Sequence, residues 1–154
     1  MNPNTNLFAT ASLAFFCSLC LAASARPAKA DIRIATYNIR LENGDKGTPN
    51  AWAERKSDLV ELIRRLDLDA FGLQEVCPGQ AAFIKGSLPE FALVGEHRNA
   101  DRVSGEASPV LYRKDRFEAM KSGTFWLSET PDVPGLKGWG AACPRVCSWM
   151  LLRD

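Results

Sequence analysis

Apolar and polar positions along the chain change rhythm about once every ten to fifteen residues, and each change predicts an element. From Leu7 to Ala23, 14 of 17 residues are apolar, and two small-x-small sites follow at Ala23-Ser24-Ala25 and Ala28-Lys29-Ala30. That is the pattern of a cleavable export signal, and the run is shorter than the roughly 20 apolar residues a membrane span requires. Ile32 to Asn38 mixes β-branched and aromatic residues with partial alternation, which predicts a strand ending on Asn38. The turn-rich stretch Glu42 to Pro49 is read as a plain loop, since its spacing fits no EF-hand. Asn50 is placed as the cap of a helix beginning near Ala51, with Leu59, Leu62, Ile63 and Leu66 on its core face. Ala70 to Gln74 is almost wholly apolar and predicts a strand buried on both faces, with Glu75 emerging at its carboxyl end.

Beyond Gly79 the pattern predicts a short helix over 80–86. Strands follow at 91–96, 109–113, 117–127 and 147–152, with a Pro/Gly-rich loop between Thr130 and Gly140. The expectation is an export signal over residues 1–30 and one domain over 31–154, in an extracytoplasmic compartment, periplasmic or secreted. No repeat or linker divides the second part.

Composition narrows this picture only slightly. At 154 residues, 46% hydrophobic and 24% charged, the chain matches an ordinary globular domain rather than a disordered, collagen-like or disulfide-scaffold protein. The net charge is +1 overall, and without Arg26 and Lys29 the remaining 17 basic and 18 acidic groups give −1. Strong non-specific binding to nucleic acid is therefore not expected. Cys77, Cys143 and Cys147 are an odd set for an oxidising compartment, so at least one thiol is free or intermolecular. If their segment is extended, Cys143 and Cys147 stand about 13 Å apart, too far to pair with each other.

The single histidine, His97, excludes a multi-histidine zinc site within the chain, and no nucleophile elbow, Walker loop or dinucleotide fingerprint occurs. His97 reads as a solvated loop residue. Asn38 and Glu75 remain: an amide and a carboxylate at two strand ends, where open α/β proteins bind ligands. Both are oxygen donors suited to a hard cation such as Mg²⁺, which commonly takes one or two protein carboxylates and completes its shell with water and phosphate. Taken alone, an Asn or Glu at a strand end is more often a capping or surface group than a ligand.

Several ordered blocks resemble the endonuclease/exonuclease/phosphatase superfamily. They are Thr36-Tyr37-Asn38-Ile39-Arg40, Trp52-Ala53-Glu54-Arg55, Gly72-Leu73-Gln74-Glu75-Val76, and Gly105-Glu106 through Leu111 to Phe117. The stretches Gly123 to Pro131 and Pro144 to Trp149 are similar in particular to a bacterial subgroup, many of whose members are exported. The resemblance covers about Ile32 to Asp154. It implies an α/β fold, the N-terminal half of a four-layer α/β sandwich with mixed β-sheets. It also implies a phosphodiesterase, nuclease or phosphatase that uses Mg²⁺ (or Mn²⁺). By the same resemblance Asn38 and Glu75 are metal ligands, and Glu106 and Arg145 contact the substrate. Arg145 equally fits a plain surface arginine, and Trp126, Trp139 and Trp149 are expected to pack in the core or loops.

The superfamily's second half carries Asn-x-His-x-Asp-like, Gly-Asp-x-Asn and Ser-Asp-His blocks, and none of them occurs in these 154 residues. The domain is therefore expected to be truncated and inactive alone. The alternatives are a non-catalytic exported binding or structural fragment, or half of a split enzyme. Self-association through an uncovered sheet face is a further expectation.

Overall fold

Three local signals set the first half of the fold: a β-branched run, an amphipathic helix and an apolar run. In the computed structural model, which describes residues 31–154, they become β1 (Ile34–Asn38), α1 (Trp52–Leu66) and β2 (Ala70–Gln74). Helix α2 (Pro78–Ser87) and strands β3 (Phe91–Val94), β4 (Val110–Arg113), β5 (Glu118–Trp126) and β6 (Val146–Arg153) follow. The export signal read over residues 1–30 lies outside the described residues. No helix among the described residues is long and apolar enough to cross a membrane.

The strands form a four-stranded sheet in the order β1-β2-β4-β3 and a two-stranded sheet β5-β6. β1 runs parallel to β2, as a crossover through a helix requires, while β2–β4, β3–β4 and β5–β6 are antiparallel. The fold is thus mixed α/β with a mixed sheet. Both helices share one hydrophobic core with the four-stranded sheet: Leu59, Val60 and Ile63 of α1 and Ile84 of α2 meet Phe71, Leu73, Phe91 and Leu111.

Several side chains depart from the sequence reading. Asn50 does not cap α1; Ala51 occupies that position without a side-chain hydrogen bond. Leu66 lies in the last turn, just before Asp67 adopts a left-handed conformation (φ 49°), and is exposed, while Val60 takes its place in the core. α2 starts earlier than read because Pro78 suits a first helical turn and Gln80 folds back to accept the Cys77 N–H at 2.9 Å. Trp126 is buried and donates its indole N–H to the Arg98 carbonyl at 2.6 Å, but Trp139 is 72% exposed and Trp149 43%. Trp139 does not pack as expected, whereas Trp149 lays its ring over Gly123 of β5 and leaves its outer surface exposed. His97 is half-buried rather than solvated, with its Nδ1 2.9 Å from the Gly105 carbonyl oxygen. All three described cysteines are free thiols.

A buried carboxylate fastens the base of the sheet. Asp69, fully buried, accepts the Arg33 N–H at 2.8 Å and faces the Arg116 guanidinium at 3.1 Å. Arg116 also binds Asp154 at 2.7 Å and the Asp31 carbonyl at 3.0 Å, so the entries of β1 and β2 and the exit of β6 meet on one cation. Removing Asp69 takes a fully buried carboxylate from this end of the sheet, strips the Arg33 N–H of its acceptor and leaves Arg116 with the exposed Asp154. Asp69→Ala is therefore expected to lower the unfolding free energy by about 3 kcal/mol. Glu118→Ala, which breaks an exposed pair with Arg153, is expected to cost less than about 1 kcal/mol. Urea unfolding of both variants checks this, and equal costs would contradict it.

Candidate active site

Parallel pairing of β1 with β2 aligns Asn38 with Gln74, so the residue after Gln74 leaves the sheet beside Asn38. The Asn38 amide Nδ2 donates to Glu75 Oε1 at 2.8 Å, and the Leu41 N–H donates to Glu75 Oε2 at 3.1 Å. Asn38 Oδ1 accepts the Arg40 N–H at 2.9 Å. Each of these three oxygens keeps a lone pair after its hydrogen bond.

The backbone here bends sharply to make the arrangement. Glu75 and Arg40 both adopt left-handed conformations, φ 61° and 57°, which are unusual for side chains of their size. What holds them is the pairing on either side: Val76 and Ala107 exchange N–H···O bonds of 3.1 and 2.8 Å, and the Ile39 N–H donates to the Gln74 carbonyl at 3.2 Å. Departures of this kind gather at functional sites, where surrounding structure enforces them.

The surroundings of Glu75 favour its charged form. The Asn38 hydrogen bond, above all, holds its carboxyl below the ordinary value of 4.5, against a smaller opposing effect of burial, and the Leu41 N–H, Arg40 and Arg145 add to the lowering. Arg145 therefore lies close enough for its field to reach the pair.

A cleft of about 250 Å³ is lined by Asn38, Glu75, Glu106 and Arg145, together with Arg98 and Ser108. All four residues singled out in the sequence thus share one cleft. Glu106 is not a free carboxylate there: Arg98 Nη1 binds its Oε2 at 2.8 Å, and both side chains are mostly buried. The preceding Gly105 (φ 81°) makes the turn that brings Glu106 back, and a Cβ there would stand 2.9 Å from Asn99 Oδ1. Arg98 was not found by sequence reasoning, because only the folded 97–106 loop joins it to Glu106.

The donor set is all oxygen at its centre, an amide and a carboxylate. Among the described residues no group of three or more His, Cys, Asp and Glu side chains could hold a metal ion. That excludes a closed zinc-type cage there, but it fits a hard divalent cation that retains water and substrate oxygens.

The family model for Endonuclease/Exonuclease/phosphatase family proteins matches residues 35–146. An endonuclease/exonuclease/phosphatase from Bacteroides vulgatus is 40% identical, with a TM-score of 0.78 over 82% of this chain and 48% of that one. A mannosyl-6-phosphatase of Bacteroides thetaiotaomicron VPI-5482 is 39% identical, with a TM-score of 0.77 over 80% of this chain and 46% of that one. An uncharacterized protein of Acanthamoeba polyphaga mimivirus is 28% identical over 67% of this chain and 17% of its own length. The chain therefore spans about half the length of the solved relatives it matches. With the family model covering most of the described residues and the mixed α/β arrangement shared with those structures, this chain belongs to the endonuclease/exonuclease/phosphatase family.

Proposed function

We propose that residues 31–154 carry the cation-holding and phosphate-facing part of a metal-dependent phosphoester hydrolase. The observation that carries this reading is the hydrogen-bonded Asn38–Glu75 pair opening into one cleft with Arg145 and Glu106. Asn38 Oδ1 and the Glu75 carboxylate would hold Mg²⁺ or Mn²⁺. A divalent cation bound there supplies charge stabilisation for phosphoryl oxygens. Arg145 offers a planar guanidinium matched to a phosphate, and the Arg98–Glu106 pair offers donors and acceptors for a polar leaving group.

Charge favours a small substrate, because the near-neutral chain lacks the basic field that long nucleic acids require. The 39% identity to a mannosyl-6-phosphatase supports a sugar phosphomonoester in particular.

Hydrolysis also needs a base for the attacking water and donors for the developing charge. The one histidine is not among the residues lining the cleft, and Glu106 is committed to Arg98. These 154 residues are thus read as inactive by themselves. Mannose 6-phosphate, an aryl phosphodiester, DNA, RNA and sphingomyelin should show no Mn²⁺- or Mg²⁺-dependent turnover with the purified chain. Turnover that disappears in Glu75→Ala would overturn the inactivity.

Cation binding is a separate outcome. Because the Asn38 hydrogen bond holds Glu75 below the ordinary 4.5, the charged carboxylate predominates at neutral pH and is lost as the pH falls through and below that value. Mn²⁺ titrations are expected to show binding at pH 7, weaker binding well below pH 4.5, and none in Glu75→Gln. An affinity that survives Glu75→Gln, or that is undiminished well below pH 4.5, would count against the site.

A second reading, a binding or structural fragment that associates with itself, is favoured by exposed apolar side chains on the sheets. Trp149 and Leu151 project from one face of β6, and Ile34 on β1 is 74% exposed. Sedimentation is expected to show mass rising with concentration, and Trp149→Lys with Leu151→Lys to give a monomer. A wild-type monomer at all concentrations would remove this reading.

A further inference from the structure

Two consecutive peptide units connect the Asn38–Glu75 pair to the helices, and both are held at their far ends by the same side chain. The first unit joins Ile39 to Arg40. Its N–H donates to Asn38 Oδ1 at 2.9 Å, and its carbonyl accepts from Arg55 Nη1. The second joins Arg40 to Leu41. Its N–H donates to Glu75 Oε2 at 3.1 Å, while its carbonyl accepts from Arg55 Nη2 at 2.9 Å and from Gln80 Nε2 at 2.9 Å. A planar peptide points its C=O and N–H in opposite directions, so fixing the carbonyl end aims the N–H end. Polarisation acts the same way, since a cation on the carbonyl strengthens the donor on the nitrogen.

The holders are themselves fixed. Arg55 Nε donates to the Asn50 carbonyl at 2.8 Å, and its guanidinium lies 5.2 Å from the centroid of the Trp52 ring. Trp52 meets Phe83 of α2 edge-to-face at 5.8 Å, which couples the two helices. Gln80 is fully buried, and its Oε1 accepts the Cys77 N–H at 2.9 Å, leaving its amide N–H directed at Arg40. A fork with three nitrogens suits this task because it can hold successive carbonyls and still reach a third. A lysine offers only one nitrogen.

We infer that Arg55, assisted by Gln80, is a positioning residue that sets the orientation of Asn38 and Glu75 through the two peptide units on either side of Arg40. The clamp adds to the strand pairing that holds Arg40 left-handed (φ 57°), a conformation in which the Arg40 and Leu41 N–H groups both reach the site. Its effect on a bound cation rests on the Asn38–Glu75 reading above; its effect on the peptide units does not.

The test uses the full 154-residue chain, with Arg55→Met, Arg55→Lys, Gln80→Met and, as control for the cation, Glu75→Gln. Amide hydrogen exchange is read at Arg40 and Leu41, with the bonded amides of Asp69 and Leu73 as references. Arg55→Met is expected to speed exchange at Arg40 and Leu41 by about tenfold, the scale of a lost charge-assisted hydrogen bond, and to leave the references within about twofold. Mn²⁺ affinity, read by electron paramagnetic resonance, is expected to fall about tenfold or more, as when an outer partner of a metal ligand is removed. Arg55→Lys should recover part of both effects, and Gln80→Met should speed Leu41 more than Arg40. If Arg55→Met does not fold, Arg55→Lys and Gln80→Met carry the same comparison. Unchanged exchange at Arg40 and Leu41, or equal acceleration at the reference amides, would overturn the clamp. Local acceleration combined with Mn²⁺ binding that is insensitive to Glu75→Gln would support the clamp and overturn the cation reading.

Discussion

The parallel register of β1 on β2 is the constraint from which the rest of the site follows. Ile34 lies opposite Ala70 and Asn38 opposite Gln74, so residues 37 apart in sequence come to a 2.8 Å hydrogen bond at the end of the sheet. A shift of one residue would turn every side chain of β1 to the other face and separate Asn38 from Glu75. The register is secured at the opposite end, where Asp69 binds the Arg33 backbone and Arg116, and on one face, where Phe71 and Leu73 pack beneath α1. Sheet geometry, a buried ion pair and the helix core therefore converge on the placement of two side chains.

Elements whose cause is local were legible in the sequence, and contacts that arise only on folding were not. The alternation and β-branching of β1, the apolar run of β2 and the spacing of Leu59 and Ile63 are local, and they mark the elements to within a few residues. Asn38 and Glu75 could be placed at strand ends for the same reason. The Arg98–Glu106 pair could not, because it depends on a loop closed by Gly105 in a left-handed conformation. Arg55 stood inside a recognisable block, yet its role lies in carbonyls fifteen or so residues upstream that only the turn at Arg40 presents to it. Trp149 was legible only in part, because its ring packs over Gly123 of β5 while the outer face of β6 is open among the described residues.

Charge is used sparingly and close to the cleft. Overall the chain is almost neutral, but Arg98, Arg145, Glu75 and Glu106 meet in a space of about 250 Å³, where each charge has a neighbour of opposite sign. In the proposed function this lining would take a small phosphorylated molecule rather than a long polyanion. The Glu75 carboxylate and the Asn38 amide are held in place by their mutual hydrogen bond and share the cleft with Arg98 and Arg145.

In the proposed site, strand register brings Asn38 and Glu75 together to hold a divalent cation. Crystals of the 154-residue chain grown with Mn²⁺, with diffraction recorded above and below the manganese absorption edge, address it most directly. An anomalous peak is expected within about 2.0–2.4 Å of both Asn38 Oδ1 and a Glu75 carboxylate oxygen, the range of hard-cation bonds to oxygen. A peak bound elsewhere, or an ordered Asn38–Glu75 pair with no anomalous signal at saturating Mn²⁺, would contradict it.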